Sequence, residues 1–413
     1  MSDLEHLARI VVGPLDDGLA RVAGTARTVA APNRFVARRD DARDDLAARW
    51  DAHAAGGAAT AFQTGRFVAT WYATIGPAVG EPLRLAVHDR ATGALAALLP
   101  LVIRTLGGCR VIEFADCGVS DYNAPVLGPA APADAPGARL LWAAVRAALP
   151  PADLVRFKRM PREIDGRVNP LALLAPARAS SGSSNVVTID GTWAEFLAGL
   201  KGTLRRQVER HWRAFRARDG AEFRHVTDPV EAARILAALE RQQSARLRRR
   251  GLPYVLDAPR FAAFYRMLVV DGLAEGSAVL TALTRGDEVV ATLLGVARGD
   301  TYVMLRMSIG APEWSACSPG RLVILQTMKM LRQRGFRQFD FSIGDYDYKR
   351  RFRATSRPLV ELTVALSPRG WPLLAVEHAK RLVRRNRALH DLVGRVLASG
   401  RLLTTRQPPT ASS

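Results

Sequence analysis

Residues Ser318–Phe352 read SPGRLVILQTMKMLRQRGFRQFDFSIGDYDYKRRF, and this order of residue types predicts a loop, a helix, a strand and a basic turn. Pro319 suits the first turn of a helix, and Gly335 ends the apolar pattern that follows it. From Gln338 to Ser342 polar and aromatic residues alternate, as they do along a half-buried strand. Because the free N–H groups of a helix N-terminus favour anions, the loop before this helix is a candidate phosphate-binding site.

Strand, turn and helix patterns follow the same order in the two halves of the chain. Each half shows three strand-like runs joined by turns, then a loop, a helix and a further strand. That order predicts an antiparallel meander extended by one parallel strand through a helical crossover, and therefore a mixed α/β fold. The expected divisions are a helical or partly disordered lead-in at 1–57, a first domain at 58–160, a linker at 161–185, a second domain at 186–370 and a basic amphipathic helical tail at 371–413.

The chain is strongly basic, with 59 Lys and Arg against 39 Asp and Glu and a net charge of +20. This excess favours anionic partners such as cofactor phosphates, nucleic acid or an acidic membrane surface, and arginines on solvated helix faces are the alternative. Two basic segments, Arg246–Arg250 and the tail from Lys380 to Arg387, are candidates for contact with an anionic membrane. Both lack the stacking aromatics of a single-strand nucleic-acid binder. Nucleic acid is therefore expected only as tRNA, in the alternative that the donor is an aminoacyl-tRNA.

Cys109, Cys117 and Cys317 are too few and too scattered for a disulfide framework or a zinc site. A reactive thiol at Cys317 is an alternative to simple packing. No run of 18 apolar, uncharged residues occurs, and the acidic residues near the N-terminus do not fit a signal peptide. We therefore expect a cytoplasmic protein without a bound metal.

Seven segments carry a resemblance to a known family. In the second half they are LKGTLRRQVERHWRAF (Leu200–Phe215), GDEVVATLLG (Gly286–Gly295), SPGRLVILQ (Ser318–Gln326) and FDFSIGDYDYKRRF (Phe339–Phe352). In the first half they are FQTGRFVATW (Phe62–Trp71), ALLPLVI (Ala97–Ile103) and GVSDYNAPVLG (Gly118–Gly128). In this combination the chain resembles the acyltransferases associated with cellulose biosynthesis, which are GNAT-like (Gcn5-related N-acetyltransferase) proteins similar to the Fem peptidyltransferases.

The resemblance implies two tandem GNAT-like domains and the transfer of an acyl group, usually acetyl from acyl-CoA, to an amine or hydroxyl by direct attack. It also implies an acceptor that is a sugar derivative, a polysaccharide or an envelope precursor. Fem relatives use aminoacyl-tRNA as the donor, and the single glycine in Cys317–Arg321 suits that alternative. A third alternative is a degenerate, non-catalytic partner of an envelope or polysaccharide assembly.

The donor-phosphate candidates that the resemblance implies are Ser318, Pro319, Gly320 and Arg321. Gly320 permits a close approach of backbone to ligand, and the Arg321 guanidinium can hold a phosphate through two hydrogen bonds. The alternative is a plain helix cap in which Gly320 serves packing.

The catalytic candidates follow the strand of the opening segment. Acyl transfer needs a base for the acceptor proton and a donor that stabilises the oxyanion. Asp340 or Asp345 is the candidate base, and Tyr348 or Lys349 is the candidate for steadying charge. The alternative is that Asp345 caps a turn and that the basic residues after it are solvated.

Two pairs of residues are candidates for binding the acceptor. Arg205 and Arg206 lie on a predicted basic helix, for which a solvated helix face is the alternative. Asp121 and Tyr122 lie in a loop of the first half that faces the cleft between the domains in the family, and a simple turn is the alternative.

Overall fold

One mixed sheet runs through both halves of the protein, as seen in a computed structural model that describes residues 33–41, 44–344 and 346–385. The strands are β1 Phe35–Arg39, β2 Glu81–Asp89, β3 Leu95–Leu106, β4 Cys109–Phe114, β5 Val126–Leu127, β6 Leu154–Pro161, β7 Glu163–Ile164, β8 Arg167–Val168, β9 Ala177–Thr188, β10 Ala221–Val226, β11 Ala278–Arg285, β12 Glu288–Arg298, β13 Thr301–Ile309, β14 Gln338–Asp340 and β15 Thr355–Ala365. The α-helices are α1 Leu46–Ala54, α2 Gly65–Thr74, α3 Gly76–Val79, α4 Ala135–Ala148, α5 Trp193–Gly199, α6 Gly202–Arg216, α7 Pro229–Arg248, α8 Pro259–Glu275, α9 Pro319–Gln333, α10 Asp347–Arg351 and α11 Trp371–Arg385.

Each half is built as an antiparallel meander with one parallel extension. In the second half β10, β11, β12 and β13 pair in order, and α9 returns the chain so that β14 lies parallel to β13. In the first half β1 to β4 pair in order, and α4 returns the chain so that β6 lies parallel to β4. The predicted mixed α/β class and the shared order of elements are therefore confirmed.

The two halves exchange strands at the centre of the sheet. β9 follows the first half in sequence but pairs with β14, and β15 follows the second half but pairs with β6. β9 and β15 also pair with each other, which gives the central order β6-β15-β9-β14. The prediction of a linker at 161–185 is wrong, because this segment holds the β7–β8 hairpin and most of β9. Its Ser- and Ala-rich composition carries no strand signal, and backbone pairing on both sides imposes the strand.

All described residues from Arg34 onwards belong to one compact unit. The end of the predicted lead-in forms β1 and α1, whereas residues 1–32 lie outside the described part of the chain. Of the predicted tail, α11 is described, and its Glu377 accepts hydrogen bonds from Arg156 and Lys158 of β6, both at 3.0 Å. The side chains of Lys380, Arg384 and Arg385 and the whole of Arg387 lie outside the described part. The other predicted domain boundaries and the contact with an anionic membrane stay predictions.

None of the helices in the described ranges is long and apolar enough to cross a membrane. The predicted cytoplasmic location stays a prediction.

Helices cover both faces of the second-half sheet. On one face α6 and α9 pack through Leu204, Phe215 and Leu322. The opposite face carries α7 and α8, and it also receives α2 from the first half, where the Phe67 and Phe264 rings lie 5.2 Å apart. Side chains that point to this second face therefore lie between the two halves.

A bulge redirects β13 just beyond its short pairing with β14. The β12–β13 register pairs Leu294 with Arg306 but Gly295 with Met304, so one residue of β13 has no opposite partner. The buried Tyr302 ring lies directly over Gly295, where a Cβ would be 2.2 Å from Tyr302 Cζ. Only glycine fits under that ring, and this glycine is the residue of β12 next to the bulge.

Candidate functional site

β13 and β14 diverge after three residue pairs. Their parallel pairing covers Thr301 to Val303 on β13 and ends at Asp340, whereas β13 continues to Ile309. The next residue, Phe341, donates its N–H to the Asn185 carbonyl of β9 at 2.8 Å, so the chain follows β9 instead of β13. This leaves a wedge-shaped opening, called the fork below, bounded by β13 beyond Val303 and by the loop after β14. Strand edges of this kind offer backbone groups to an extended ligand.

Asp340 lies at the base of the fork, and its carboxylate is buried. The Tyr122 hydroxyl, which comes from the first half, donates to both carboxylate oxygens at 2.9 and 2.8 Å. The Ser342 N–H donates to Oδ1 at 2.7 Å. Burial raises the pKa of Asp340 to about 6, although both hydrogen bonds oppose the rise. A carboxyl group with this pKa changes protonation close to neutral pH, as a general base must.

Tyr122 keeps its proton in this site. Burial, followed by the neighbouring Asp340 charge, raises the pKa of Tyr122 well above its ordinary value. The hydroxyl therefore acts as a neutral donor that orients the Asp340 carboxylate. The structure thus brings together two residues that the sequence predicted for different roles, 218 positions apart.

Asp121 and Lys349 converge on the loop after β14. Ser342 donates its hydroxyl to Asp121, and burial raises the pKa of that carboxyl group. Lys349 is buried, and its ammonium donates to the carbonyls of Ser342 at 3.1 Å and Ile343 at 2.7 Å. Ser342 itself has a left-handed φ of 64°. Lys349 therefore fixes a strained loop beside Asp340, and this contact is a structural role that the sequence did not reveal.

Of the remaining catalytic candidates, Tyr348 is not brought to Asp340. Tyr348 is half-buried and packs edge-on against Phe341 at 5.8 Å, within the apolar cluster on the α9 side of the sheet. Burial raises the pKa of Tyr348 to about 12. Asp345 lies outside the described residues.

The donor-phosphate candidates form the start of α9 at the wide end of the fork. Ser318 is the N-cap residue in a left-handed conformation, and Pro319 opens the helix. Gly320 is buried, and a Cβ there would lie 2.8 Å from Ile309 Cδ1 at the end of β13. Arg321 is half-buried and donates to Gln207 of α6 at 3.3 Å.

Several cationic side chains lie close to Arg321. Burial lowers the pKa of Arg321, and the charge of Arg351 lowers it further. Burial also lowers the pKa of His211, with Arg210 and Arg321 adding to the effect. Within the described residues, no ion pair to a carboxylate is formed by Arg321 or Arg351 and no hydrogen bond by His211 Nδ1. These four residues, Arg210, His211, Arg321 and Arg351, are called the basic cluster below. A bound anion would stabilise the cluster.

The predicted acceptor residues separate into two places. Asp121 and Tyr122 lie at the base of the fork, as described. Arg205 and Arg206 lie on α6, half-buried and exposed respectively, on the side of the sheet that carries the basic cluster.

A cavity of about 390 Å³ lies beside Asp340 on the face between the halves. Tyr122 and Ser184 form part of its base, and Arg357 and the β7–β8 hairpin form part of its wall. The volume is that of a small-molecule site. The predicted candidates contain Tyr122 and Asp340 of this cavity but none of its arginines.

Arg306 is a further buried charge that sequence analysis missed. It lies on β13 at the bulge and donates to Gln243 Oε1 at 2.9 and 2.7 Å and to the Tyr254 hydroxyl at 2.8 Å. Its guanidinium also lies 4.3 Å from the centre of the Tyr265 ring. An arginine inside the apolar run Tyr302–Met307 was the available signal.

The described residues contain no group of three His, Cys, Asp or Glu side chains arranged to hold a metal ion.

The part of the chain that forms the fork matches a family model. Residues 202–350 match the model of a family described as an acetyltransferase (GNAT) domain. This segment contains β10 to β14, α9 and the basic cluster except Arg351. The first half repeats the same order of strands and crossover helix, so the predicted fold of two tandem GNAT-like halves is confirmed. Among curated proteins, no sequence matches the chain.

Solved structures share this fold at low sequence identity. FemX superposes with a TM-score of 0.56 and 12% identity, over 82% of this chain and 99% of FemX. The C-terminal domain of a putative lysylphosphatidylglycerol synthetase from Agrobacterium fabrum gives 0.47 and 14%, over 82% and 96% of the two chains. A tandem GNAT protein from the clavulanic acid biosynthesis pathway gives 0.43 and 14%, over 81% and 98%. Because the last two TM-scores lie below 0.5, the likeness of the whole fold rests on FemX.

Proposed function

We propose that this protein is an acyltransferase that moves an acyl group, acetyl in the first instance, from acyl-CoA to an amine or hydroxyl of a sugar-derived or envelope-precursor acceptor. The observation that carries the proposal is the buried Asp340 carboxyl, with a pKa of about 6, at the base of the fork. The GNAT match over residues 202–350 supports acyl transfer as the reaction class.

The donor is assigned to the fork and to the basic cluster at its wide end. The pantetheine arm would pair with the edge of β13 beyond Val303, which has no ladder with β14 there. The pyrophosphate would lie at the N-terminus of α9, where the helix dipole, Arg321 and Arg351 favour an anion. Gly320 lets this helix start pack closely against Ile309 at the end of β13.

The reaction follows from the position of Asp340. The acceptor nitrogen or oxygen attacks the thioester carbonyl carbon, a C–N or C–O bond forms, and the C–S bond breaks. Asp340 takes the proton that the acceptor loses, while the departing thiolate takes one from solvent. Tyr122 holds the Asp340 carboxylate in place through both oxygens. Backbone N–H groups of β13 beyond Val303 are the available donors for the oxyanion.

Titration of the purified protein with acetyl-CoA and longer acyl-CoAs by calorimetry tests the donor assignment. We expect micromolar binding, and Arg321→Ala should weaken it by about tenfold or more because a charge-assisted contact to phosphate is lost. Arg139→Ala, a change of an exposed arginine on α4, is the matched control and should bind like the unchanged protein. Absence of binding to every acyl-CoA would exclude this donor.

Aminoacyl-tRNA is the second candidate donor, and the exposed arginines of α6 favour it. Arg206, Arg210 and Arg213 extend the positive surface of the basic cluster along that helix. If tRNA is the donor, its affinity should fall steeply and linearly with salt on a log–log plot, and replacing these three arginines with Gln should reduce the slope by about 2 to 3. A filter-binding series in rising salt measures this, and no binding at low salt would eliminate the candidate.

A further inference from the structure

The cavity beside Asp340 has a wall that is already fixed in the folded protein. Arg298 of β12 pairs with Asp165 at the tip of the β7–β8 hairpin and donates to the carbonyls of Ala59 at 3.1 Å and Gly57 at 3.2 Å. The N–H of Ala59 also donates to Asp165 at 3.3 Å. The hairpin, the segment before α2 and the second-half sheet are thus tied together by one guanidinium. The cavity needs no closure to take shape, which is the usual state of a ligand pocket.

The base of the cavity is polar and buried. Asp340 and Tyr122 are 5% exposed and Ser184 is 4% exposed. The Tyr122 hydroxyl donates to the Asp340 carboxylate. It also lies close to Ser184, which acts to lower the pKa of Tyr122. Any ligand group that reaches this base meets a carboxyl group first.

The wall carries charges that the protein leaves unpaired. Arg162, Glu163 and Arg357 line the cavity and are exposed. Within the described residues, none of these three side chains forms an ion pair or a side-chain hydrogen bond. Arg357 lies close enough to Asp340 that its charge lowers the pKa of that carboxyl group. A cation and a proton acceptor therefore face the same small volume.

We propose that this cavity binds the acceptor and that the acceptor carries both an amine and an anionic group, the amine at Asp340 and the carboxylate or phosphate at Arg357 and Arg162. An ammonium group is attracted by Asp340 and Glu163, whereas the anion is held by the two arginines. An amine that carries no carboxylate or phosphate would leave both guanidinium groups without an anionic partner. This inference deepens the proposed function and rests on it for the reaction of the bound amine.

Calorimetry with two matched pairs of probes tests the inference, using the full chain with and without CoA. L-Lysine is compared with cadaverine, which lacks its carboxylate, and glucosamine 6-phosphate is compared with glucosamine, which lacks its phosphate. In at least one pair we expect the anionic member to bind about tenfold more tightly, as a charged hydrogen bond provides. The pair that responds identifies the anion as carboxylate or phosphate.

Two variants decide where the preference arises. Arg357→Gln should bring the two members of the responding pair to nearly equal affinity, whereas Arg139→Gln, an exposed arginine on α4, should leave the preference intact. Equal binding within both pairs, or no binding of any probe at millimolar concentration, would overturn the proposal. If the protein binds acyl-CoA but binds both members of each probe pair equally, the proposed acceptor is rejected and the proposed acyltransferase function is retained. If the cavity prefers the anionic probes but the protein binds no donor, only the proposed acyltransferase function is rejected.

Discussion

Replacing Asp340 with Asn is expected to lower kcat for acyl transfer by about 10²- to 10⁴-fold, the range that a positioned general base contributes. The asparagine keeps the size of the side chain and can still accept from Tyr122 and Ser342. What it loses is the capacity to take the acceptor proton. Steady-state rates with acyl-CoA and the responding acceptor measure the loss.

The same variant should be more stable than the unchanged protein above pH 6. The folded-state pKa of Asp340, about 6, lies above the ordinary 3.8, so the native state holds the proton more firmly than the unfolded chain does. Stability therefore decreases as pH rises from about 4 to about 6, and the buried charge penalises the native state beyond that window. Because asparagine never ionises, we expect a gain of about 3 kcal/mol at pH 8 that disappears near pH 4. Urea unfolding at both pH values measures it.

The pH dependence of the rate in Tyr122→Phe shows whether Asp340 acts as a base or is only a buried carboxylate. Loss of the hydroxyl removes a hydrogen bond that favours the charged form, so the acidic limb of the rate profile should move to higher pH. A rate for the unchanged protein that is constant from pH 5 to 8, or a fully active Asp340→Asn variant, would reject Asp340 as the base.

Gly295→Ala is expected to destabilise the fold by about 3 kcal/mol or more, because the new methyl group overpacks a core position. Its Cβ would lie 2.2 Å from Tyr302 Cζ and 2.4 Å from Cε2, and the Tyr302 ring is fully buried. The ring can move away only by displacing Phe339, whose ring centre is 4.9 Å distant on β14. Acyl-CoA affinity should fall as well, because Gly295 packs beside the part of β13 that bounds the fork.

Gly182→Ala is the matched control for that experiment. Gly182 also lies in a strand, β9, but no atom comes within 4 Å of an added Cβ, so its free energy of unfolding should change little. Tyr302→Phe should be neutral or stabilising, because the buried Tyr302 hydroxyl has no hydrogen-bond partner among the described residues. Equal stability of the two alanine variants would contradict the packing argument.

The meanders could be predicted from sequence because their signals are local. Largely apolar runs separated by turn residues mark β2, β3 and β11 to β13, and Pro and Gly mark both ends of α9. β9 could not be predicted in the same way, because ARASSG at its start has the composition of a loop. Its conformation depends on pairing with β14 and β15, which lie about 150 residues or more further along the chain.

Individual residues of the candidate site could be predicted where the residue type indicates a chemical role. Asp340 and Tyr122 were identified separately, but their contact depends on how the two halves meet. Lys349 has the residue type of an oxyanion donor, whereas its burial against two carbonyls becomes visible only in three dimensions. Arg357 gave no signal, because its relevance comes from a cavity whose walls lie far apart in sequence.

The strand exchange has a consequence for synthesis on the ribosome. β6 ends at Pro161, and its neighbour β15 begins at Thr355, so about 190 residues must be translated before β6 gains that partner. At roughly 5–20 residues per second, the wait lasts about 10–40 s. Throughout this time the nascent first half displays an open strand edge, the kind of surface that promotes aggregation. The emerging chain is therefore a natural client for chaperones that shield such an edge until the ribosome has nearly finished.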